Sequence, residues 1–357
     1  MSSNHEHGGN VFAMARQMGL SPGDTIDFSA SINPLGLPAS VRESILSSLE
    51  NLVHYPDTTC QELKHVLAHE HGLPPEHFLV ANGSTELIYN LPAMLSGKRA
   101  LIISPSFSEY AHSLEQHQWE ISHFILSSHD SFALDPDRLR HVLRNGFDAL
   151  YLCNPANPSG TLYSRRLVEQ IYDLCQDAGT FLVLDEAFID FSPEATAAPS
   201  IATCDNAIVL RSMTKFFAMP GLRLGYAMAA PRTIEKLSRV GGPWSVNTLA
   251  QAAGVAALND QKYRRRSIDY VDRERHKLAE QLSLFQQLTV YPSRANFLLV
   301  EISGKHTSPE LQQLLLQQRI LIRDCSGFKG LSDRFFRIAV RTAEENSCLL
   351  KSLKDLF

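Results

Sequence analysis

The sequence predicts an α/β protein with a mostly parallel sheet covered on both faces, followed by a smaller α+β unit. Three observations carry that reading. Short, nearly continuous apolar runs recur through the middle of the chain and stop at polar residues or proline, as strands buried on both faces do. Helix-length stretches separate these runs, the alternation expected of a parallel sheet with crossover helices. Beyond about residue 260 the pattern changes to a long charged segment followed by closely spaced strands and helices.

The elements can be justified in order. Residues 1–35 are polar and rich in Gly and Asn, too short to fold alone, and are expected to lie over the body as an arm or lid associated with the small domain. Residues 36–260 form the expected large domain. Within it, Asn82-Gly83-Ser84-Thr85-Glu86 opens a predicted helix over 85–95. Arg99-Ala100-Leu101-Ile102-Ile103 reads as a strand ending at Ser104-Pro105, and Ala149-Leu150-Tyr151-Leu152-Cys153 as a second stopped by Asn154-Pro155. A helical stretch covers 164–178. Phe181-Leu182-Val183-Leu184 is a third strand reaching Asp185-Glu186, and Ala207-Ile208-Val209-Leu210 a fourth ending in Arg211-Ser212. Residues 261–357 form the expected small domain, with a charged helix over 262–286, a strand over 295–300, a helix around 308–318, strands at 320–322 and 335–339, and a last helix. Arg264-Arg265-Arg266 in the charged helix reads as a solvated face.

Composition excludes several classes. The chain has 357 residues, 44% of them hydrophobic, which suffices for a sizeable core. A net charge of −5 argues against a nucleic-acid partner, which calls for clustered basic surface. No apolar run of about 18 residues predicts a membrane span, and the first residues lack the basic and apolar regions of a secretory signal. The six cysteines are scattered without a CxxC pair, so reduced thiols in the cytoplasm are expected. No metal is expected: none of the fourteen histidines stands in HExxH. His69 and His71 face different sides of a helix and read as solvated. GxGxxG after the first strand, GxxxxGK[ST] and GxSxG are all absent.

In open α/β sheets, ligands gather outside the carboxyl ends of the strands. Polar motifs cluster there. Ser84 and Thr85 offer hydroxyls and free amides at a helix start, which suits a phosphate. Phe107 follows the first strand, and Asn154-Pro155-Ala156-Asn157-Pro158-Ser159-Gly160 is a turn carrying Asn side chains. Asp185 stands at a buried strand end. Ser212-Met213-Thr214-Lys215-Phe216-Phe217 sets a lysine among apolar residues, and Gly221-Leu222-Arg223-Leu224-Gly225 follows.

This ordered set of motifs resembles the aspartate-aminotransferase-like, fold-type I enzymes that use pyridoxal phosphate, and the resemblance extends over nearly the whole chain. It implies that Lys215 is catalytic and forms a Schiff base with the cofactor aldehyde, favoured by partial desolvation of its amine. It further implies that Asp185 keeps the pyridine nitrogen protonated, that Phe107 stacks on the ring and that Asn157 bonds the ring oxygen. Ser84, Thr85, Ser212, Thr214 and Arg223 would hold the cofactor phosphate. Tyr55, in His54-Tyr55-Pro56-Asp57, would reach the phosphate of a neighbouring subunit, implying a homodimer with shared active sites. Asn157-Pro158 and Ser104-Pro105 are implied to be cis.

Within that family the chain is similar to both the histidinol-phosphate aminotransferases and the threonine-phosphate decarboxylases of cobalamin synthesis. Both share an arginine pair matched by Arg323 and Arg337, whose guanidinium forks suit a phosphate or carboxylate. Three features resemble the decarboxylases more: His7-Gly8-Gly9-Asn10, which implies substrate contacts from His7 and Gly8; the loop Asp27–Gly36; and Phe188, where the aminotransferases usually carry a tyrosine. Ser31 stands where the decarboxylases commonly have Asn, so its shorter side chain would reach substrate through water.

The expected reaction is therefore decarboxylation of L-threonine O-3-phosphate to (R)-1-amino-2-propanol O-2-phosphate. The alternative is 2-oxoglutarate-dependent transamination of histidinol phosphate. The same cofactor serves both, because the bond set perpendicular to its ring is the one labilised, and the anchoring of the substrate decides which bond that is. A non-enzymatic, DNA-binding regulator is disfavoured by the acidic charge and the lack of a helix-turn-helix segment.

Overall fold

The computed structural model describes residues 8–357. In chain order its strands are β1 (Ile26–Asp27), β2 (Phe78–Ala81), β3 (Arg99–Ser104), β4 (Glu120–Ile125), β5 (Ala149–Cys153), β6 (Phe181–Asp185), β7 (Ala207–Ser212), β8 (Gly225–Ala229), β9 (Leu288–Val290), β10 (Phe297–Ile302), β11 (Ile320–Leu321), β12 (Arg323–Asp324) and β13 (Phe335–Ala339). A seven-stranded sheet runs β2-β8-β7-β6-β5-β3-β4. Within it β8 pairs antiparallel with both neighbours while the other pairings are parallel. A four-stranded antiparallel sheet runs β12-β13-β10-β9.

Strand alternation explains why the large sheet needs cover on both sides. Leu101, Ile103, Leu150, Leu152, Leu182, Leu184 and Val209 pack into one apolar cluster. Their chain neighbours Ala100, Ile102, Ala149, Tyr151, Val183 and Ile208 pack into another on the opposite face. The helix Arg165–Asp177 supplies part of the first cover. Its buried Val168, Ile171, Leu174 and Cys175 recur at helical spacing, and the Ser164 side chain caps its start by accepting from Leu167 N. β10 behaves like the large sheet: Phe297 and Leu299 join the main core, whereas Leu298, Val300 and Ile302 face a third cluster under the small sheet.

Three strands of the large sheet escape the sequence pattern. β4 is an edge strand in which polar Glu120, Ser122 and His123 break up the apolar run, β8 consists mainly of small residues, and β2 has only four residues. The expected strand at 320–322 is shortened to Ile320–Leu321, which pairs with β1, and a separate strand, Arg323–Asp324, joins β13. The strand expected at 295–300 runs instead over Phe297–Ile302.

Two surface expectations are corrected. His71 is not solvated: its Nε2 lies 2.9 Å from Tyr226 Oη, and burial, reinforced by Arg211 and Arg264, pushes its pKa down to about 3. His69 is exposed as expected. Arg264 leaves the solvated face of its helix to pair with Glu70 at 2.5 Å, while Arg265 and Arg266 stay exposed.

The segment after β1 ties the small sheet to the large one. Phe28 N donates to Leu321 O and Ala339 N donates to Phe28 O, each at 2.8 Å. Farther on, Asn33 N donates to Lys215 O (3.0 Å), and Asn33 Nδ2 donates to Phe216 O (2.7 Å) and Ser267 Oγ (2.8 Å). All six cysteines are free, no helix among the described residues is long and apolar enough to cross a membrane, and none of those residues form a metal-binding cluster.

Candidate active site

The parallel strands end along one edge of the large sheet, and each delivers a polar residue or turn to the same place. β6 ends at Asp185, β7 at Ser212, β5 leads into the Asn154–Gly160 turn, β2 leads into Gly83-Ser84, and antiparallel β8 begins at that edge just after Arg223. The small sheet contributes Arg323 from β12 and Arg337 from β13, which face each other in register. A cavity of about 410 Å³ results, lined among others by Gly8, Ser31, Ser84, Thr85, Phe107, Asn157, Asp185, Ser212, Thr214, Lys215, Arg223, Arg323 and Arg337. Every site residue expected from sequence therefore meets here except two. Tyr55 is 81% exposed, lies outside the cavity and stacks on Trp244 at 4.9 Å. His7 lies outside the described residues.

The lysine and its counter-groups are buried. Burial lowers the pKa of Lys215 to about 8, helped by Arg337 and Arg223 and opposed by Asp185. A substantial neutral fraction at mildly alkaline pH follows, which a nucleophilic amine requires. Asp185 is pushed above the usual carboxylate range by burial, but Tyr110 Oη donates to its Oδ2 at 2.5 Å and Ala187 N to its Oδ1 at 2.9 Å, and both bonds favour the ionised form. Burial raises the neighbouring Cys153 thiol, so it stands beside Asp185 as a neutral group.

Arg337 holds a central position. Its Nη1 donates to Asn157 Oδ1 and its Nη2 to Ser29 O at 2.9 Å. Burial lowers its pKa to about 10, which leaves it cationic at neutral pH. Arg323 is only half-buried and lies over the Phe328 ring at 5.5 Å. Ser31 Oγ is buried without a hydrogen-bond partner, and Phe107, Phe188 and Phe328 give the cavity lining three aromatic rings.

One corner of the cavity is shaped for a phosphate. A Cβ on Gly225 would come within 2.4 Å of Ser84 N, and one on Gly83, whose φ is +81°, within 2.5 Å of Arg223 Nη2. Glycine at both positions lets the backbone amides of Ser84 and its neighbours and the Arg223 guanidinium close around a small anion. Ser212 Oγ and Thr214 Oγ1 stand 2.8 Å apart at the same corner. This cradle, with a buried carboxylate and a buried amine, fits the phosphate, ring nitrogen and aldehyde of pyridoxal phosphate. Three X–Pro bonds are cis: Ser104-Pro105 and Asn157-Pro158, as expected, and also Asn154-Pro155.

Sequence reasoning missed two groups of residues. Tyr110 lies on the helix Glu109–Gln116, where only the tertiary fold turns it toward Asp185. Behind the site, Arg211 pairs with Glu186 at 3.0 Å and Asp190 at 2.9 Å. The adjacency of Glu186 to Asp185 and of Arg211 to Ser212 was the available signal.

Fold and cavity together define a pyridoxal-phosphate-dependent enzyme of fold type I. The chain belongs to the aminotransferase class I and II family, whose sequence model matches residues 23–353. It is 40% identical to the threonine-phosphate decarboxylase of Salmonella typhimurium over 355 residues, covering 99% of this chain and 97% of that one. Among solved structures it is similar to the histidinol-phosphate aminotransferase of Clostridium acetobutylicum (TM-score 0.87, 29% identity, 93% of this chain and 98% of that one). It is also similar to the L-threonine-O-3-phosphate decarboxylase of Porphyromonas gingivalis (TM-score 0.81, 28% identity, 93% of this chain and 99% of that one).

Proposed function

We propose that this enzyme decarboxylates L-threonine O-3-phosphate to (R)-1-amino-2-propanol O-2-phosphate and CO2, supplying the linker of the cobalamin nucleotide loop. The observation that carries the reading is that Gly8, Ser31 and Phe188, from the segments that resemble the decarboxylases, line the same cavity as Lys215, Asp185, Arg323 and Arg337. Full-length similarity to the Salmonella decarboxylase supports it.

When bound, pyridoxal phosphate supplies an electron sink conjugated to the substrate's α-carbon. The residues of this chain decide which bond faces that sink. Arg323 and Arg337 bind the substrate phosphate through charge-assisted hydrogen bonds, with Gly8 and Ser31 beside them and His7 joining from the arm. With the arginines so engaged, the substrate carboxylate lies outside their clamp and against Phe107, Phe188 and Phe328. That apolar wall excludes water and disfavours the carboxylate's charge relative to neutral CO2. Asn157 holds the cofactor's ring oxygen without the hydroxyl a tyrosine at Phe188 would add. Asp185 holds the proton at the ring nitrogen, and Lys215 Nζ delivers the proton that replaces CO2 on the α-carbon. A lysine with a pKa near 8 is a stronger acid than an ordinary one and suits that transfer.

The functional unit we assign is a homodimer in the cytoplasm. Leu46, Leu49, Leu52, Val53 and Tyr55 form a run of exposed large side chains, with Trp244 stacked on Tyr55, a surface that a second copy would cover. Reduced thiols accord with that compartment. Residues 1–35 act as arm, 36–260 as cofactor-binding domain and 261–357 as small domain, the arm being attached through β1 to the small-domain strand β11.

The test is CO2 release from phosphothreonine with no oxo acid present. Stoichiometric CO2 and aminopropanol phosphate are expected. Consumption of histidinol phosphate that depends on 2-oxoglutarate, with no CO2 from phosphothreonine, would overturn the assignment.

A further inference from the structure

A second cavity of about 390 Å³ adjoins the active site on the far side of Phe107 and Phe328. The two cavities share Phe107, Ser108, Arg323 and Phe328 as a common wall. The outer one opens between the carboxyl end of β3 and the loop that follows β12. Its chemistry is that of an anion site. Ser106 belongs to its lining, and its Oγ is buried without a hydrogen-bond partner, a donor that the fold itself leaves unused. His123 lines it with Nδ1 held 2.8 Å from Ser104 Oγ, which fixes the ring and leaves Nε2 as the nitrogen for a ligand. The exposed Lys329 is near enough to His123 to lower the imidazole's pKa, second to burial itself. Asp324 is the one carboxylate of the lining, and it is engaged by Ser326, accepting from its N at 3.1 Å and from its Oγ at 2.5 Å.

We infer that this outer cavity is a phosphate-monoester subsite, where Lys329, His123 and Ser106 bind the phosphate of an incoming substrate or departing product before or after Arg323 and Arg337 hold it. The inference deepens the proposed reaction and rests on it for the identity of the monoester. Lys329, Arg323 and Arg337 are set at increasing depth, exposed, half-buried and buried in turn. A dianionic phosphate passed from the outer cavity to the inner thus exchanges one cation for the next, with Arg323 common to both linings, and is not left unpaired in low-dielectric surroundings. An outer site of this kind raises the local concentration of the anionic substrate at the entrance.

The test is equilibrium dialysis of the holoenzyme against 1-amino-2-propanol O-2-phosphate and, separately, against inorganic phosphate. Two equivalents of the monoester per chain are expected for the wild type. Lys329→Ala should weaken the outer equivalent roughly tenfold, as for loss of one charge-assisted contact, while Lys329→Arg retains it. Arg337→Ala should remove the inner equivalent and leave the outer. A single equivalent in the wild type, or binding that Lys329→Ala leaves unchanged, overturns the subsite. Inorganic phosphate separates this proposal from the assigned reaction. If it binds in a Lys329-dependent manner while phosphothreonine releases no CO2, the subsite stands and the substrate assignment fails.

Discussion

Tyr110 donates a hydrogen bond of 2.5 Å to Asp185 from within the core, where neither residue meets solvent to any useful degree. Burial opposes the charge on Asp185, and this phenol, with the Ala187 amide, is what offsets it. The carboxylate we assign to the cofactor's ring nitrogen therefore depends on a residue that itself lines the cavity.

Tyr110→Phe should consequently impair catalysis while preserving the packing. A hydrogen bond to a charged group contributes about 1.5–3 kcal/mol, so kcat should fall roughly ten- to a hundredfold. The sign of the pH effect follows from the lost bond. Tyr110 lowers the pKa of Asp185, so its removal raises that pKa further, and the acidic limb of the pH–rate profile should move to higher pH. An unmoved limb would mean that Asp185 does not need this partner.

Arg337 should act on two properties at once because it both lines the cavity, where we assign it to the substrate phosphate, and grips Asn157 and Ser29. Arg337→Ala is expected to weaken the phosphorylated substrate by about 2–4 kcal/mol, with a much smaller effect on binding of a non-phosphorylated analogue. Because Arg337 also lowers the pKa of Lys215, the lysine of the cofactor-free variant should titrate at higher pH, measured by the pH dependence of the rate at which an amine-selective reagent modifies it. Equal losses with both ligands would argue against a phosphate clamp.

The exposed Tyr55 gives a test of shared sites. Tyr55→Ala and Lys215→Ala each disable every site of their own dimers. Mixed dimers regain one complete site if Tyr55 serves the neighbouring chain, since one site collects both substitutions and the other neither. Activity recovered on mixing and re-equilibrating two impaired preparations is therefore expected. Mixed dimers with no recovered activity would assign Tyr55 to its own chain's site, and full activity of Tyr55→Ala alone would place it outside the site.

These tests also separate what the sequence made legible from what it did not. Strand ends where an apolar run turns polar, such as Leu184-Asp185 and Leu210-Arg211-Ser212, announce their position because parallel strands bury everything before the edge. Side chains that reach the site by way of helix rotation leave no such mark. Tyr110 looks like any residue of an amphipathic helix, and Arg264 like any member of a basic run, until the fold sets the helix against Glu70. Helical period could have supplied part of the latter, since Tyr263 and Ser267 on either side are buried. The β4 and β8 strands stayed hidden for a different reason, edge exposure in one and small side chains in the other.

Lys215 should also reveal itself through stability, independently of any assay. Its pKa falls from 10.5 in the unfolded chain to about 8 when buried, so below pH 8 the folded apoprotein carries a buried ammonium that the unfolded chain holds more comfortably. The unfolded state binds more protons between pH 8 and 10.5, which means stability rises with pH across that window. The penalty at neutral pH amounts to roughly 3 kcal/mol. Lys215→Met removes the charge at similar volume. The cofactor-free variant should therefore unfold at higher urea concentration than the cofactor-free wild type at pH 7, and the gap should close as the pH is raised toward 10.5. A gap that is constant with pH would assign the difference to packing and leave the lowered lysine pKa without support.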